Sequence, residues 1–140
     1  MYRRGLDVII PKSEVFAAAD AHDIDRLKKA LETEEGKRDA VDFVCPYTNR
    51  TPLIAASEDA CIDCAEELLK NGADVNKPGN RLRTPLMAAA ANKREDVLEL
   101  LLKAGADVTM QDDEGQTALM FACFAGTTRA KLPRTAKYTS

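Results

Sequence analysis

Between Leu86 and Leu102 the apolar positions change rhythm once, and the change marks two helices. Leu86-Met87-Ala88-Ala89-Ala90-Ala91 is a short alanine-rich run whose small side chains let neighbouring helices approach closely. Beyond a break at Asn92-Lys93, Val97, Leu98, Leu101 and Leu102 recur at helical spacing, which predicts a second helix with one face against a core. Thr84 stands at the N-cap position of the first helix, and Pro85 takes the first helical place, where its missing N–H costs nothing. Gly105 is set to close the second helix in the left-handed conformation. Asp107-Val108 then opens an extended loop that turns near Asp112-Asp113-Glu114-Gly115.

The pattern recurs at a fixed step of 33 residues. Thr51-Pro52-Leu53 becomes Thr84-Pro85-Leu86 and then Thr117-Ala118-Leu119; Leu68-Leu69-Lys70 becomes Leu101-Leu102-Lys103; Gly72-Ala73-Asp74-Val75 becomes Gly105-Ala106-Asp107-Val108. A weaker helix pair precedes them from Ser13 to Leu31, with Val15, Phe16, Ala18 and Ala19 on one helix and Ile24, Leu27, Ala30 and Leu31 on the next. The connection from there to Thr51 is longer than its counterparts and charged through Glu32, Glu34, Glu35, Lys37, Arg38 and Asp39, which reads as a loop insertion. The predicted organisation is an N-terminal extension (1–12), an N-cap repeat with its long loop (13–50), two complete repeats (51–83 and 84–116), a partial repeat (117–126) and a basic tail (127–140). In the last period Pro133 falls on the place of Leu100 and Lys131 on that of Leu98, so the second helix is expected to be missing there. Leu119, Met120, Phe121 and Phe124 should then be under-covered, leaving an uncapped end open to self-association, as in a short isoform or a fragment of a longer array.

A 33-residue period carrying Thr-Pro-Leu resembles the ankyrin repeat, over about residues 13–126. One letter departs from that signature, since the His position holds Ile54, Met87 and Met120. The resemblance implies an all-α solenoid of stacked helix-turn-helix pairs with projecting β-hairpin-like loops. It further implies a concave groove, built from loop tips and first helices, that grips a partner protein. Aligned on the period, the family's variable groove positions fall on Cys45, Tyr47, Thr48, Arg50, Glu58 and Asp59 in the first repeat. In the second they fall on Pro78, Asn80, Arg81, Arg83, Ala91 and Asn92, and in the third on Gln111, Asp113, Glu114, Gln116, Phe124 and Ala125. The tips run from basic (Arg50, Arg81, Arg83) to acidic (Asp113, Glu114), so a partner of opposite polarity would dock in one orientation.

Composition narrows the reading. Of 140 residues 45% are apolar and 31% charged, a balance that fits one globular domain. Aromatic residues make up 5% and Trp is absent, so the core must be built from Ala, Leu, Val and Met. A net charge of -3 argues against a general nucleic-acid binder, because phosphate neutralisation needs a basic surface. The tail alone carries +4, through Arg129, Lys131, Arg134 and Lys137, which leaves about -7 on the body. Without interleaved aromatic residues that tail reads as a solvated segment. The apolar stretch after Arg3-Arg4 is too short for a signal peptide and is interrupted by Asp7, and no run reaches membrane-spanning length. Four cysteines in a chain read this way predict reduced thiols in the cytosol or nucleus.

Catalytic chemistry finds little to work with. His22, the one histidine, falls at the break between the two N-terminal helices with no partner Ser or Cys in a recognisable motif. The glycines at 72, 79, 105, 115 and 126 are turn and cap residues at repeat spacing, not a phosphate-binding loop. Cys61-Ile62-Asp63-Cys64 spells half a zinc site or a redox pair, but no second pair accompanies it, and Cys64 matches core Val97 by period. The sequence therefore predicts a non-enzymatic binding module or adaptor for another protein, with no cofactor, metal or small-molecule substrate. The alternatives are a thiol-based metal or redox protein using Cys61 and Cys64 with Cys45 or Cys123, or a truncated product that competes with a longer relative.

Overall fold

A computed structural model describes residues 13–32 and 41–125. Seven α-helices and no strands occur among them: α1 (Glu14–Asp20), α2 (Ile24–Glu32), α3 (Pro52–Glu58), α4 (Ile62–Lys70), α5 (Pro85–Ala91), α6 (Glu95–Lys103) and α7 (Ala118–Ala125). The expectations for the N-terminal extension, the charged insertion at 33–40, Gly126, Lys131, Pro133 and the basic tail lie outside the described residues. Helices α1, α3, α5 and α7 stack in one row and α2, α4 and α6 in another, with α1, α3 and α5 each packing on its own second helix and on the first helix of the next repeat. The N-terminal pair α1 and α2 takes part in both rows.

Local chemistry sets each helix boundary. Thr51 and Thr84 have extended backbone, and their hydroxyls accept from the Ile54 and Met87 amides at 3.2 and 3.3 Å, with Pro at the first helical place in both. Ser13 does the same for Phe16 at 3.1 Å. Both threonines are buried, so each cap also satisfies a backbone donor that water cannot reach. The second helices end as predicted. Gly72 and Gly105 adopt φ of +90° and +92°, the Gly72 and Gly105 amides donate to Leu69 and Leu102, and the following amides donate to Leu68 and Leu101. That double closure is the Schellman arrangement, which needs a left-handed residue at this position.

First helices end the same way but without glycine. His22, Ala60 and Lys93 occupy one equivalent position with φ of 59°, 59° and 58°. Each closes its helix, and the amides of Asp23, Cys61 and Arg94 reach back to Ala18, Ala56 and Ala89 at 2.9 to 3.0 Å. Left-handed backbone costs an L-residue about 1–2 kcal/mol, while a glycine gives back about 0.4–1 kcal/mol in unfolded-chain entropy. Lys93→Gly, at an exposed site, is therefore expected to stabilise the fold by about 0.5–1 kcal/mol, read as a higher urea midpoint. A lower midpoint would show that the lysine stem contributes more than the strain removes.

The core is one contiguous cluster running through every repeat, built from Val15, Leu27, Leu53, Leu68, Leu86, Met87, Leu98 and Leu101 and lined by alanines. Leu102 is half-buried against it. Repeats are also tied by polar bonds: Arg94 Nε donates to the last carbonyl of α3, Glu58 O, at 2.9 Å, satisfying an orphan acceptor at that helix end. At the far end the structure corrects one expectation. Phe121 is buried, with the Arg83 guanidinium 4.8 Å from its ring centroid, because the loop before α5 reaches across α7. Leu119 is half-buried, whereas Met120 and Phe124 are exposed, Phe124 at 79%.

Candidate functional site

The loops between helix pairs project as hairpins closed by one backbone bond each. Gly79 N–H donates to Arg83 O at 2.8 Å, and Asp112 N–H to Gln116 O at 2.9 Å. The equivalent place in the first loop holds Pro46, which has no N–H, so closure moves one residue back, to Cys45 N–H donating to Arg50 O at 2.9 Å. Near each tip one residue turns left-handed: Asn49 (φ 55°), Leu82 (φ 61°) and Gly115 (φ 78°), at successive steps of the period. Arg81 shares that conformation with φ 58°. Successive loops lie close together. A side chain at Gly79 would overlap the Asn49 carbonyl oxygen and the Ile54 Cδ1.

Between the first two loops and helices α3 and α5 lies an open cavity of about 150 Å³. Its floor is apolar, from Ile54, Met87, Ala88 and Ala91, and its rim carries Thr48, Arg50, Glu58, Asn80, Arg83 and Asn92. Seven of the positions expected from the period therefore converge on one feature: Thr48, Arg50, Glu58, Asn80, Arg83, Ala91 and Asn92. Two floor residues, Ile54 and Met87, sit where the repeat signature has His, so the departure from the signature is what makes the floor apolar.

Charges at the tips are cross-linked rather than free, which removes the basic-to-acidic polarity expected of them. Arg50 donates to Asp20 at 2.9 Å and to Glu58 at 3.0 Å. Burial works against the Arg50 charge, but Glu58 and Asp20 outweigh it and raise its pKa. Arg81 bridges to Asp113 at 3.4 Å and to Glu114, and the Asp113 amide donates to Arg81 O at 3.0 Å. Asp59 meets His22 at 3.0 Å, so the histidine at the first helix break joins two repeats. Arg83 approaches buried Asp112 at 3.7 Å, too long for a hydrogen bond, and both Arg83 Nε and Asp112 Oδ2 are buried without one.

The remaining expected positions scatter. Tyr47 is 61% exposed beside the cavity; Gln111 is exposed and Gln116 half-buried in the third loop; Phe124 lies apart on α7. Cys45, Pro78 and Ala125 are half-buried. Leu82, 54% exposed on the loop between Asn80 and Arg83, was not among the expected positions; its signal is the period itself, which sets a leucine where Asn49 and Gly115 stand.

Asp112 shapes the third loop. Its Oδ1 accepts from the Glu114 and Gln116 amides at 2.9 and 2.8 Å. Burial pushes the carboxyl pKa up, but those two amides together with Arg83 and Arg81 outweigh it and hold the group below the ordinary carboxylate value. Asp107 is also lowered, by bonds from the Thr109 hydroxyl and amide. A depressed folded pKa means stability that is present above the unfolded value and lost as pH falls through the folded one. Stability should accordingly be flat from neutrality to about pH 5 and fall below about pH 4, with a shallower fall in Asp112→Asn. Urea midpoints against pH test this, and an unchanged slope in the variant would remove Asp112 from the account.

A family model described as ankyrin repeats in three copies matches residues 15–112. The chain belongs to the ankyrin repeat family. A search of curated proteins found no match. The matched segment of the ankyrin stack runs from α1 into the start of the third loop and contains the whole cavity, while α7 follows it with the same capping threonine, Thr117, whose hydroxyl accepts from Met120 N–H at 3.4 Å. Ankyrin repeats are generally protein–protein interaction modules. No described helix is long and apolar enough to cross a membrane.

Proposed function

We propose that this ankyrin stack is a non-enzymatic binding module that takes an extended segment of a partner protein across its first two loops. One apolar side chain of that segment enters the cavity. The carrying observation is the cavity itself: an apolar floor of Ile54, Met87, Ala88 and Ala91 under a polar rim, with exposed Tyr47 and Leu82 on the loops that bound it. A volume of about 150 Å³ is of the order that holds a benzene-sized group. Thr48, Asn80 and Asn92 supply rim groups for the partner's backbone, and the Asn92 side chain is itself fixed by donating to Ala88 O at 2.8 Å. Recognition then rests on shape and apolar burial more than on charge, because Arg50 and Arg81 are already paired with carboxylates. Free thiols at Cys45, Cys61, Cys64 and Cys123 fit a reducing compartment, the cytosol or nucleus.

Panning a displayed peptide library on the full chain tests this, with Ala91→Arg as the variant that fills the cavity from an exposed helix end. Enriched peptides should share an apolar anchor and bind Ala91→Arg at least tenfold more weakly, while its melting temperature is kept. Peptides with no common apolar residue, or with equal affinity for the variant, would overturn the reading.

A further inference from the structure

Cys61 and Cys64 are left outside the groove, and their setting is that of a dithiol. Cys61 is the N-cap of α4 and Cys64 the third residue of that helix. Residues three apart on a helix lie about 5 Å apart at Cα, inside the range a disulfide spans without moving the backbone. Cys61 is half-buried and makes no side-chain cap bond, so its sulfur is not committed to the helix end. Cys64 is wholly buried, and the Cys61 side chain lies close enough to help raise its pKa. Among the described residues no group of three or more His, Cys, Asp or Glu could hold a metal, so Cys45 and Cys123 do not complete a ligand set around this pair.

We propose that Cys61 and Cys64 form a reversible disulfide within the first turn of α4, by exchange with low-molecular-weight disulfides. The inference is independent of the groove. Cys61 reacts first because it alone of the two is reachable from solvent. As the thiolate it attacks one sulfur of the small disulfide, forms a mixed disulfide and expels one small thiolate. Cys64 then loses its proton to solvent and attacks the Cys61 sulfur, closing the intramolecular bond and expelling the second small thiolate. Two electrons pass from the cysteine pair to the small disulfide, which ends as two thiols. In the dithiol, burial, then Cys61 and the charges of Asp63 and Asp23, push the Cys64 pKa up to about 12; burial and the two carboxylates remain once Cys61 is capped, so closure is slow near neutrality and speeds with rising pH.

The test equilibrates the full chain in glutathione buffers of graded oxidised fraction, followed by acid quench, alkylation and peptide mapping. Both cysteines fall in the tryptic peptide 51–70, apart from Cys45 and Cys123. The expected result is loss of two hydrogens and of alkylation in that peptide, reversed by added dithiol. Cys64→Val, which places there the residue found at the equivalent position 97, should instead stop at a glutathione adduct on Cys61. Full alkylation of both cysteines in fully oxidised buffer would overturn the proposal. So would a persistent wild-type adduct on Cys61, or no adduct in Cys64→Val.

Discussion

Leu86→Ala is expected to cost about 3 kcal/mol, within the 2–5 kcal/mol found for buried leucine truncations. Leu86 is 1% exposed on α5, which packs against α3 on one side, α7 on the other and α6 behind. A cavity there touches two inter-repeat contacts at once. Its neighbours cannot collapse to fill it, because Ala89 and Ala90 have no longer side chains to swing inward. In a stack held by nearest-neighbour interfaces, loosening the middle helix uncouples the ends, and total stabilities are only about 5–15 kcal/mol. Urea unfolding followed by circular dichroism should show the midpoint falling steeply. Leu102→Ala, at a half-buried position on α6, should cost distinctly less. Equal costs for the two would mean that burial in this core is not what holds the repeats together.

Most of the fold was legible because its signals are local and repeated. Threonine caps, Pro85, Gly72 and Gly105 each act within a few residues, and the period supplies two or three readings of each position. The charge pairs were not legible, because they join residues 8 to 37 apart whose side chains meet only after the loops stack. Arg50 and Arg81 read as free basic tips in the sequence, yet each faces two carboxylates in the fold. Phe121 failed for a related reason: an arginine from the preceding repeat covers it, and no pattern within its own helix announces that.

The cavity stood between these cases. Its rim followed from aligning the repeats, since variable positions share one face. Its floor required reading the departures from the signature at Ile54 and Met87 as side chains that point into one space. Leu82 required a comparison across columns, Asn49 and Gly115 against leucine, with the knowledge that this column is left-handed.

Leu82→Gly is expected to separate stability from binding. A bulky residue at φ 61° carries conformational strain, and at 54% exposure it also sets apolar surface in water. Glycine relieves the strain, offset in part by unfolded-chain entropy and by the lost partial burial of the leucine, so the variant should match or exceed the wild-type stability by up to about 1 kcal/mol, read from the urea midpoint. Binding of an apolar-anchored peptide selected on the wild type should meanwhile weaken at least tenfold, about 1.4 kcal/mol, if Leu82 closes over the segment from the loop beside the cavity. Leu82→Ala is the companion: it keeps a Cβ and hence the backbone strain, but loses the contact surface. Weak binding in both variants with gained stability only in glycine assigns the two effects to different physics, side-chain burial for one and backbone conformation for the other. Unchanged peptide affinity in Leu82→Gly, or a clear loss of stability, would show that the leucine is held in this conformation for packing rather than for a partner.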